Sequence, residues 1–269
     1  MVNADSMQLY RGMDVGTAKL TPAEQQGVPH HLLSVWPVTQ TATAADYQVH
    51  CRAVVDALRA AGRTPVLVGG SGLYLRAALD DLEFPGTDPV LRAELEAELE
   101  AGGALALHAR LAALSPEAAA RMEPTNGRRV VRALEVVTMT GHMPGAMTSY
   151  DGHYATTYVG VDRPDLAERI ALRVDRMWEQ GLVEEVQRLE GEGLREGVTA
   201  SRALGYAQVL GARDGRWSLE QALALTVTAT RRFARRQRAW FTRDPRVTWL
   251  DAAALSPAKL LSEALARHG

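Results

Sequence analysis

Residues 66–72 read Val-Leu-Val-Gly-Gly-Ser-Gly. A β-branched-rich run that ends in glycines reads as a buried parallel strand entering a tight turn. The segment before it, Ala44 to Ala61, has helical spacing, with Tyr47, Val54, Val55 and Leu58 on one side and Gly62 as the stop. Leu73–Leu79 is helical again. Helix, strand, glycine turn and helix in succession is α/β order, which narrows the possible architectures sharply. Val2-Asn3-Ala4 reads as a short extended segment, Tyr158–Val161 as a later core strand and Val247–Leu250 as the last one.

The middle of the chain breaks this alternation. From Pro89 to about Gly141 there is no convincing strand. Leu91, Leu95 and Leu99 recur at i+4, with Glu94 and Glu98 on another face. Ser115-Pro116-Glu117 is a helix start, and Asn126 can cap a helix that ends near Gly141, ahead of Pro144. An all-helical block between α/β halves predicts an inserted subdomain over 86–150, within a discontinuous core of 1–85 and 151–269. Towards the C-terminus, Arg163-Pro164-Asp165 starts a helix that stops at Gly181. Ser218 and Gln221 form a capping box ahead of a long helix reaching about Phe241.

With 269 residues, 46% of them hydrophobic, the chain can bury one large core, or a core with an insertion. No apolar run approaches the roughly 18 residues that read as a membrane-spanning helix, so no membrane partner is expected. The first five residues carry no basic flank or apolar stretch, so no signal peptide is expected and the protein is placed in the cytoplasm. The single cysteine, Cys51, excludes an internal disulfide, and no Cys/His cluster suits zinc. His30-His31 is too little for a metal site.

Net charge is −2, yet positive charge is clustered and almost all arginine, since Lys19 and Lys259 are the only lysines. Arg231, Arg232, Arg235, Arg236, Arg238, Arg243 and Arg246 crowd one segment, Arg128, Arg129 and Arg132 another, and Arg169, Arg173 and Arg176 a third. Local basic patches on a near-neutral chain suit a shaped anionic ligand better than nonspecific coating of a polyanion. A GC-rich genome also explains arginine over lysine, but not the clustering.

Asp5-Ser6-Met7-Gln8 follows the extended Val2-Asn3-Ala4, at a strand's C-terminal end, where open α/β sheets bind ligands. A carboxylate, a hydroxyl and an amide there can hydrogen-bond a base edge and take a proton from an amine. The other reading is that Asp5 caps a following helix. Gly12 to Lys19 either lines an anion site or is a structured loop. Gly69–Gly72 would expose backbone N–H groups and the Ser71 hydroxyl. Arg128 and Arg132 share a helix face without local acids, as phosphate contacts or as a solvated face. Arg173, between Leu172 and Val174, points towards a semi-buried site. Arg231, Arg235 and Arg238 form a stripe with Phe233, Trp240 and Phe241 interleaved. It either tracks an RNA backbone or is anchored to the core by its aromatics.

The order of these motifs is more specific than any one of them. It runs D-S-M-Q-x-Y-R-G-M-D-x-G-T-A-K, then P-H-H-L, A-D-Y, V-G-G-S-G-L-Y and D-P-V-L-R. R-R-V-V-R-A-L-E-V, S-R-A-L-G-Y and T-R-R-F-A-R-R-Q-R-A-W-F follow. This resembles the tRNA dimethylallyltransferase (tRNA isopentenyltransferase) family along nearly the whole chain. The resemblance implies a P-loop NTPase-like parallel-sheet α/β core with an all-helical tRNA-binding insertion. It implies transfer of a dimethylallyl group from dimethylallyl diphosphate to N6 of the adenine 3′ of the anticodon, with that adenine flipped out. Asp5 would be the general base, and Asp5, Ser6, Met7 and Gln8 would line the tRNA contact. Ser71 stands where the family usually has Thr. Arg92, the run Arg128, Arg129, Val130, Val131 and Arg132, and the run Arg202, Ala203, Leu204, Gly205, Tyr206 and Ala207 match further tRNA contacts. Arg173 matches an arginine at the diphosphate end. The tRNA anticodon stem-loop, the prenyl diphosphate and Mg²⁺ are the implied partners, and a monomer is expected.

One departure stands out. The family carries G-x-x-x-x-G-K-[ST] before the strand to which Val2-Asn3-Ala4 belongs, and neither Lys19 nor Lys259 follows a glycine. The first strand, P-loop and first helix are therefore expected to be missing, and with them the Mg²⁺ hydroxyl and the diphosphate-binding lysine. The expectation is an N-terminally truncated, impaired prenyltransferase. The alternatives are a non-catalytic tRNA-binding remnant and a nucleoside or nucleotide kinase on the related P-loop fold.

Overall fold

The computed structural model describes residues 1–143 and 149–267. Its first half contains β1 (Val2–Asn3), α1 (Ala44–Ala60), β2 (Leu67–Val68), α2 (Gly72–Leu79), α3 (Pro89–Leu114), α4 (Pro116–Ala120) and α5 (Gly127–Thr140). There follow β3 (Tyr158–Asp162), α6 (Leu166–Glu179), α7 (Leu182–Gly191), α8 (Tyr206–Arg213), α9 (Leu219–Phe241), β4 (Val247–Asp251) and α10 (Pro257–Ala266). The chain divides into two compact units, Met1–Asp81 with Gly152–Gly269, and Leu82–Asp151.

In the first unit β1 pairs in parallel with β2, Val2 opposite Leu67 and Asn3 opposite Val68. The other side of β1 is bridged in parallel by His31. β3 pairs in parallel with β4 over five positions, from Tyr158 opposite Val247 to Asp162 opposite Asp251. Among the described residues these are two separate two-stranded sheets rather than one continuous sheet. The fold is thus α/β and rich in helix. The expectation of a buried strand at Val66–Val68 is corrected: Val66 is 49% and Val68 52% exposed, and Val161 of β3 is 60% exposed. The physical reason is that, among the described residues, β2 pairs with one strand only, so it lies at a sheet edge.

The core of this unit is built around Leu9, Tyr10, Met13, Tyr47, Leu182, Leu189, Leu194 and Tyr206, all fully buried. The three fully buried tyrosines each give their hydroxyl a partner, as buried hydroxyls require. Tyr47 donates to the Asn3 carbonyl (2.8 Å), and Tyr10 donates to the Gln40 carbonyl (3.0 Å). β1 is thereby tied to α1 from within the core.

The second unit packs α3, α4 and α5 around Leu95, Leu107, Leu111, Val130, Val131 and Leu134. Its helix ends follow the capping residues of the sequence. Asp88 accepts from Val90 N and Leu91 N, Ser115 from Ala118 N and Asn126 from Arg129 N, and Gly141 closes α5 at φ 80°. A break in α3 falls at Gly103, whose φ of 76° a residue with a side chain rarely adopts. Pro144 lies outside the described residues. In the first unit the Ser218–Gln221 capping box starts α9 as expected.

A buried ion network closes the first unit where α2 ends. Asp80 accepts from Arg76 Nε (2.6 Å) and from Arg246 Nη1 (2.7 Å), and Arg246 also pairs with Asp244 (2.7 Å). The Arg246 guanidinium lies over the Tyr158 ring, 4.4 Å from its centroid. This links the end of α2 to β3 and to the turn before β4. Removing one member of a buried network leaves its partners' charges uncompensated. Asp80→Ala is therefore expected to cost about 3 kcal/mol of stability, read from the urea-unfolding midpoint. A loss below about 1 kcal/mol would mean that the network behaves like surface pairs.

Candidate functional site

The turn after β1 presents Asp5, and the side chain that shapes it is Asn3. Asn3 Oδ1 accepts Asp5 N (2.9 Å), and Asn3 Nδ2 donates to the carbonyls of Asp5 (3.0 Å) and Leu32 (2.9 Å). Asp5 Oδ1 accepts Met7 N (2.8 Å). Residues 6–9 form turns, so Asp5 closes a turn and does not cap a helix. Asn3 was not among the residues singled out from sequence, although an Asn side chain readily accepts the backbone N–H two residues on, as it does here from Asp5.

The glycine turn after β2 meets this one directly. A Cβ at Gly69 would lie 2.2 Å from the Ala4 carbonyl carbon, so only glycine allows the approach. Ser71 Oγ then accepts Ser6 N (3.1 Å) and donates to Ser6 Oγ (3.2 Å). Asp5, Ser6 and Ser71 are thus brought together on two adjacent strand ends. Behind them, Gln237 of α9 donates to the Gly70 carbonyl (2.9 Å), and Trp240 packs so closely on Gly72 that a Cβ there would lie 2.2 Å from its ring nitrogen. Trp240 therefore anchors α9 to the core. Of the α9 arginines, Arg231 donates to the Ala167 carbonyl and Arg238 pairs with Asp162, while Arg232 and Arg235 are exposed.

The loop from Gly12 to Lys19 is a structured loop, and its anion is the protein's own. Asp14 N (3.0 Å), Val15 N (2.8 Å) and Gly16 N (3.2 Å) all donate to the Glu185 carboxylate at the start of α7. Lys19 Nζ is occupied by the Tyr10 carbonyl, Asp14 and Ser34. The Thr17 carbonyl accepts both Gln8 Nε2 (3.1 Å) and Arg173 Nη2 (3.3 Å). Arg173 lines an open groove of about 370 Å³ along α6 with Arg169, Arg176, Leu166, Ile170 and Leu172.

In the run Arg202–Ala207 only Arg202 is exposed. Ala203, Gly205 and Tyr206 are buried, and Leu204 and Ala207 are half-buried. Tyr206 donates its hydroxyl to Glu185 (2.5 Å), and burial, then the Glu185 charge, pushes the phenol far above its ordinary range. Its side chain serves the interior rather than a ligand.

In the helical unit the arginines divide in the same way. Arg128 and Arg129 are exposed, and Val130 and Val131 are buried in the core, so their side chains cannot reach a ligand. Arg132 is not free of local acids as the sequence suggested: it pairs with Glu135 one turn on (2.7 Å) and donates to the Pro85 and Gly86 carbonyls. Arg92 pairs with the same carboxylate (2.5 Å). Glu135 is 0% exposed, and Asp88 N is a further donor to it. Burial raises its pKa, but the hydrogen bonds and charges of Arg92 and Arg132 outweigh that and leave it below the usual glutamate value.

Among the described residues, no group of three or more His, Cys, Asp and Glu side chains could hold a metal ion, and no helix is long and apolar enough to cross a membrane. Beside Ser6 and Ser71, Asp5 is a single carboxylate, so these donors do not by themselves fit the oxygen shell that Mg²⁺ takes.

Residues 8–244 match the family model described as IPP transferase. The tRNA dimethylallyltransferase of Thermobifida fusca (strain YX) is 65% identical over 253 residues, 93% of this chain and 79% of that protein. The crystal structure of the full-length tRNA isopentenylpyrophosphate transferase from Bacillus halodurans is 36% identical, with a TM-score of 0.71, covering 98% of this chain and 85% of that one. A eukaryotic dimethylallyltransferase acting on tRNA shares the fold at 21% identity and a TM-score of 0.78, over 99% of this chain and 70% of that one. These matches run along nearly all of the chain and lend no support to the expected missing P-loop segment or to impairment.

Glu135 generates a pH dependence. A carboxylate whose pKa is lowered by folding contributes stability that is fully present above its unfolded value, about 4.3, and is lost as pH falls through the folded value. Acid unfolding of the helical unit is thus expected to begin below about pH 4.5, and Glu135→Gln should flatten that limb. An unchanged limb in the variant would show that the two arginines do not stabilise this carboxylate.

Proposed function

The chain belongs to the IPP transferase family, and on that premise we propose that it is a tRNA dimethylallyltransferase, moving a dimethylallyl group from dimethylallyl diphosphate to N6 of the adenine 3′ of the anticodon in tRNA. The observation that carries this reading is the Asp5 turn. It offers one carboxylate, fixed by its backbone and flanked by the Ser6 and Ser71 hydroxyls, at the end of β1.

In the proposed reaction the adenine N6 attacks the allylic carbon, the carbon–oxygen bond to diphosphate breaks, and the N6 proton passes to Asp5. An exocyclic amine inside a stacked loop cannot meet that carbon in line, so the base is extruded first. Ser6, Met7, Gln8 and Ser71 line the base side. Arg173, with Arg169 and Arg176 along the same groove, supplies positive charge for the departing diphosphate. Mg²⁺ is an expectation of the family. It would be held mainly by the substrate's phosphates, because the donors described above do not form a cage for it.

The helical unit is proposed as the tRNA grip. Arg128 and Arg129 would take phosphates directly. Arg92 and Arg132, partly exposed and held by Glu135, would present fixed guanidinium faces. Arg202 is the exposed position of its run. The same reading takes the protein to act in the cytoplasm, as a monomer.

The experiment is to incubate unmodified tRNA with the protein, dimethylallyl diphosphate and Mg²⁺ and to weigh the tRNA. A gain of one dimethylallyl group on the adenine 3′ of the anticodon is expected. Asp5→Asn should lower kcat by about 10²–10⁴-fold and weaken tRNA binding far less, because the amide oxygen can still accept Met7 N and the side chain can still hydrogen-bond the base. Salt-dependent tRNA binding without any mass gain would instead identify a non-catalytic tRNA-binding remnant.

A further inference from the structure

The three successive N–H groups of Asp14, Val15 and Gly16 form an array of the kind that receives an anion. Here it is filled by Glu185, 169–171 residues away in sequence and 7% exposed. The Tyr206 hydroxyl is the fourth donor to the same carboxylate. Gly16 can have no side chain, because a Cβ there would lie 2.5 Å from the Tyr206 ring. Two residues on, Ala18 is held at φ 50°, a left-handed conformation that alanine adopts at a cost. A carboxylate is suited to this place. An amide has one acceptor oxygen instead of two, and its NH₂ would face backbone N–H groups.

The loop so held ends at Thr17, whose carbonyl accepts Gln8 from the Asp5 turn and Arg173 from the α6 groove. One backbone oxygen therefore fixes a side chain on the adenine side and a side chain on the diphosphate side. Prenyl transfer joins two substrates in line, so its rate depends steeply on that separation.

Resting on the prenyl-transfer reading above, we propose that Glu185 is a positioning residue, holding the Asp14–Thr17 loop so that the Thr17 carbonyl aims Arg173 at the diphosphate. It touches neither substrate and acts through the loop.

The test is a double-mutant cycle of wild type, Glu185→Gln, Arg173→Ala and the double variant, each shown to be folded at the assay temperature by near-UV circular dichroism. Glu185→Gln is expected to raise KM for dimethylallyl diphosphate about tenfold, the effect of one misplaced hydrogen bond to a charged group, and to weaken calorimetric binding of inorganic pyrophosphate by a similar factor. With Arg173 already removed, the same change should add less than about twofold. Should Glu185→Gln not fold, Tyr206→Phe keeps the carboxylate, removes one donor and should give about a threefold rise.

A lowered melting temperature with unchanged KM and pyrophosphate affinity would reduce Glu185 to a structural role and overturn the proposal. Additive effects in the cycle would do the same, as would a wild type that binds no pyrophosphate. If the wild type binds pyrophosphate but transfers no prenyl group, the functional reading falls. The pyrophosphate arm then still decides on Glu185.

Discussion

A single buried carboxylate organises the part of the molecule where the proposed chemistry sits. Glu185 gathers three backbone N–H groups and a phenol, and in doing so holds a loop from the N-terminal end of the chain against α7. An ionised group removed from water is tolerated only when such donors replace its hydration. Without the carboxylate those partly buried N–H groups would lose their common partner. The loop, the start of α7 and Tyr206 therefore depend on one another. Through the Thr17 carbonyl, that dependence extends to Gln8 and Arg173.

The same device recurs in the helical unit, where buried Glu135 holds Arg92 and Arg132. It separates the arginines by role. Arg92 and Arg132 are fixed by a carboxylate, and Arg76 and Arg246 are locked into the Asp80 network. Arg128, Arg129, Arg202, Arg232 and Arg235 stay exposed. Clustering of arginines in the sequence therefore joins three populations: one locked into the fold, one held by a carboxylate yet still partly exposed, and one free to meet an anion.

Much of this was legible in the sequence where the cause is local. The caps at Asn126 and Ser218 and the four strand positions follow from neighbours within a few residues. The Asp5 turn and the Gly69–Gly72 turn were each legible as a strand end, but their meeting, through Ser71 and Ser6, depends on the pairing of β1 with β2 and was not. What was not legible depends on distant partners. Glu185 looks like an ordinary acid in the first turn of an amphipathic helix, and nothing near it names residues 14–16. Tyr206 sits in a motif that reads as a ligand contact, yet faces the core. The exposure of Val66 and Val68 follows from how many strands adjoin β2, which its own residues do not encode. Glu135 was within reach: it lies three residues after Arg132, and its i,i+3 pairing was available to inspection.

The most direct measurement is amide hydrogen exchange at Asp14, Val15 and Gly16. If Glu185 holds this loop, the three amides exchange only as slowly as the α7 core amides in the wild type, and they lose protection together in Glu185→Gln while the α7 core keeps its own. Rapid exchange of these amides in the wild type, at the rate of an exposed loop, would contradict the account.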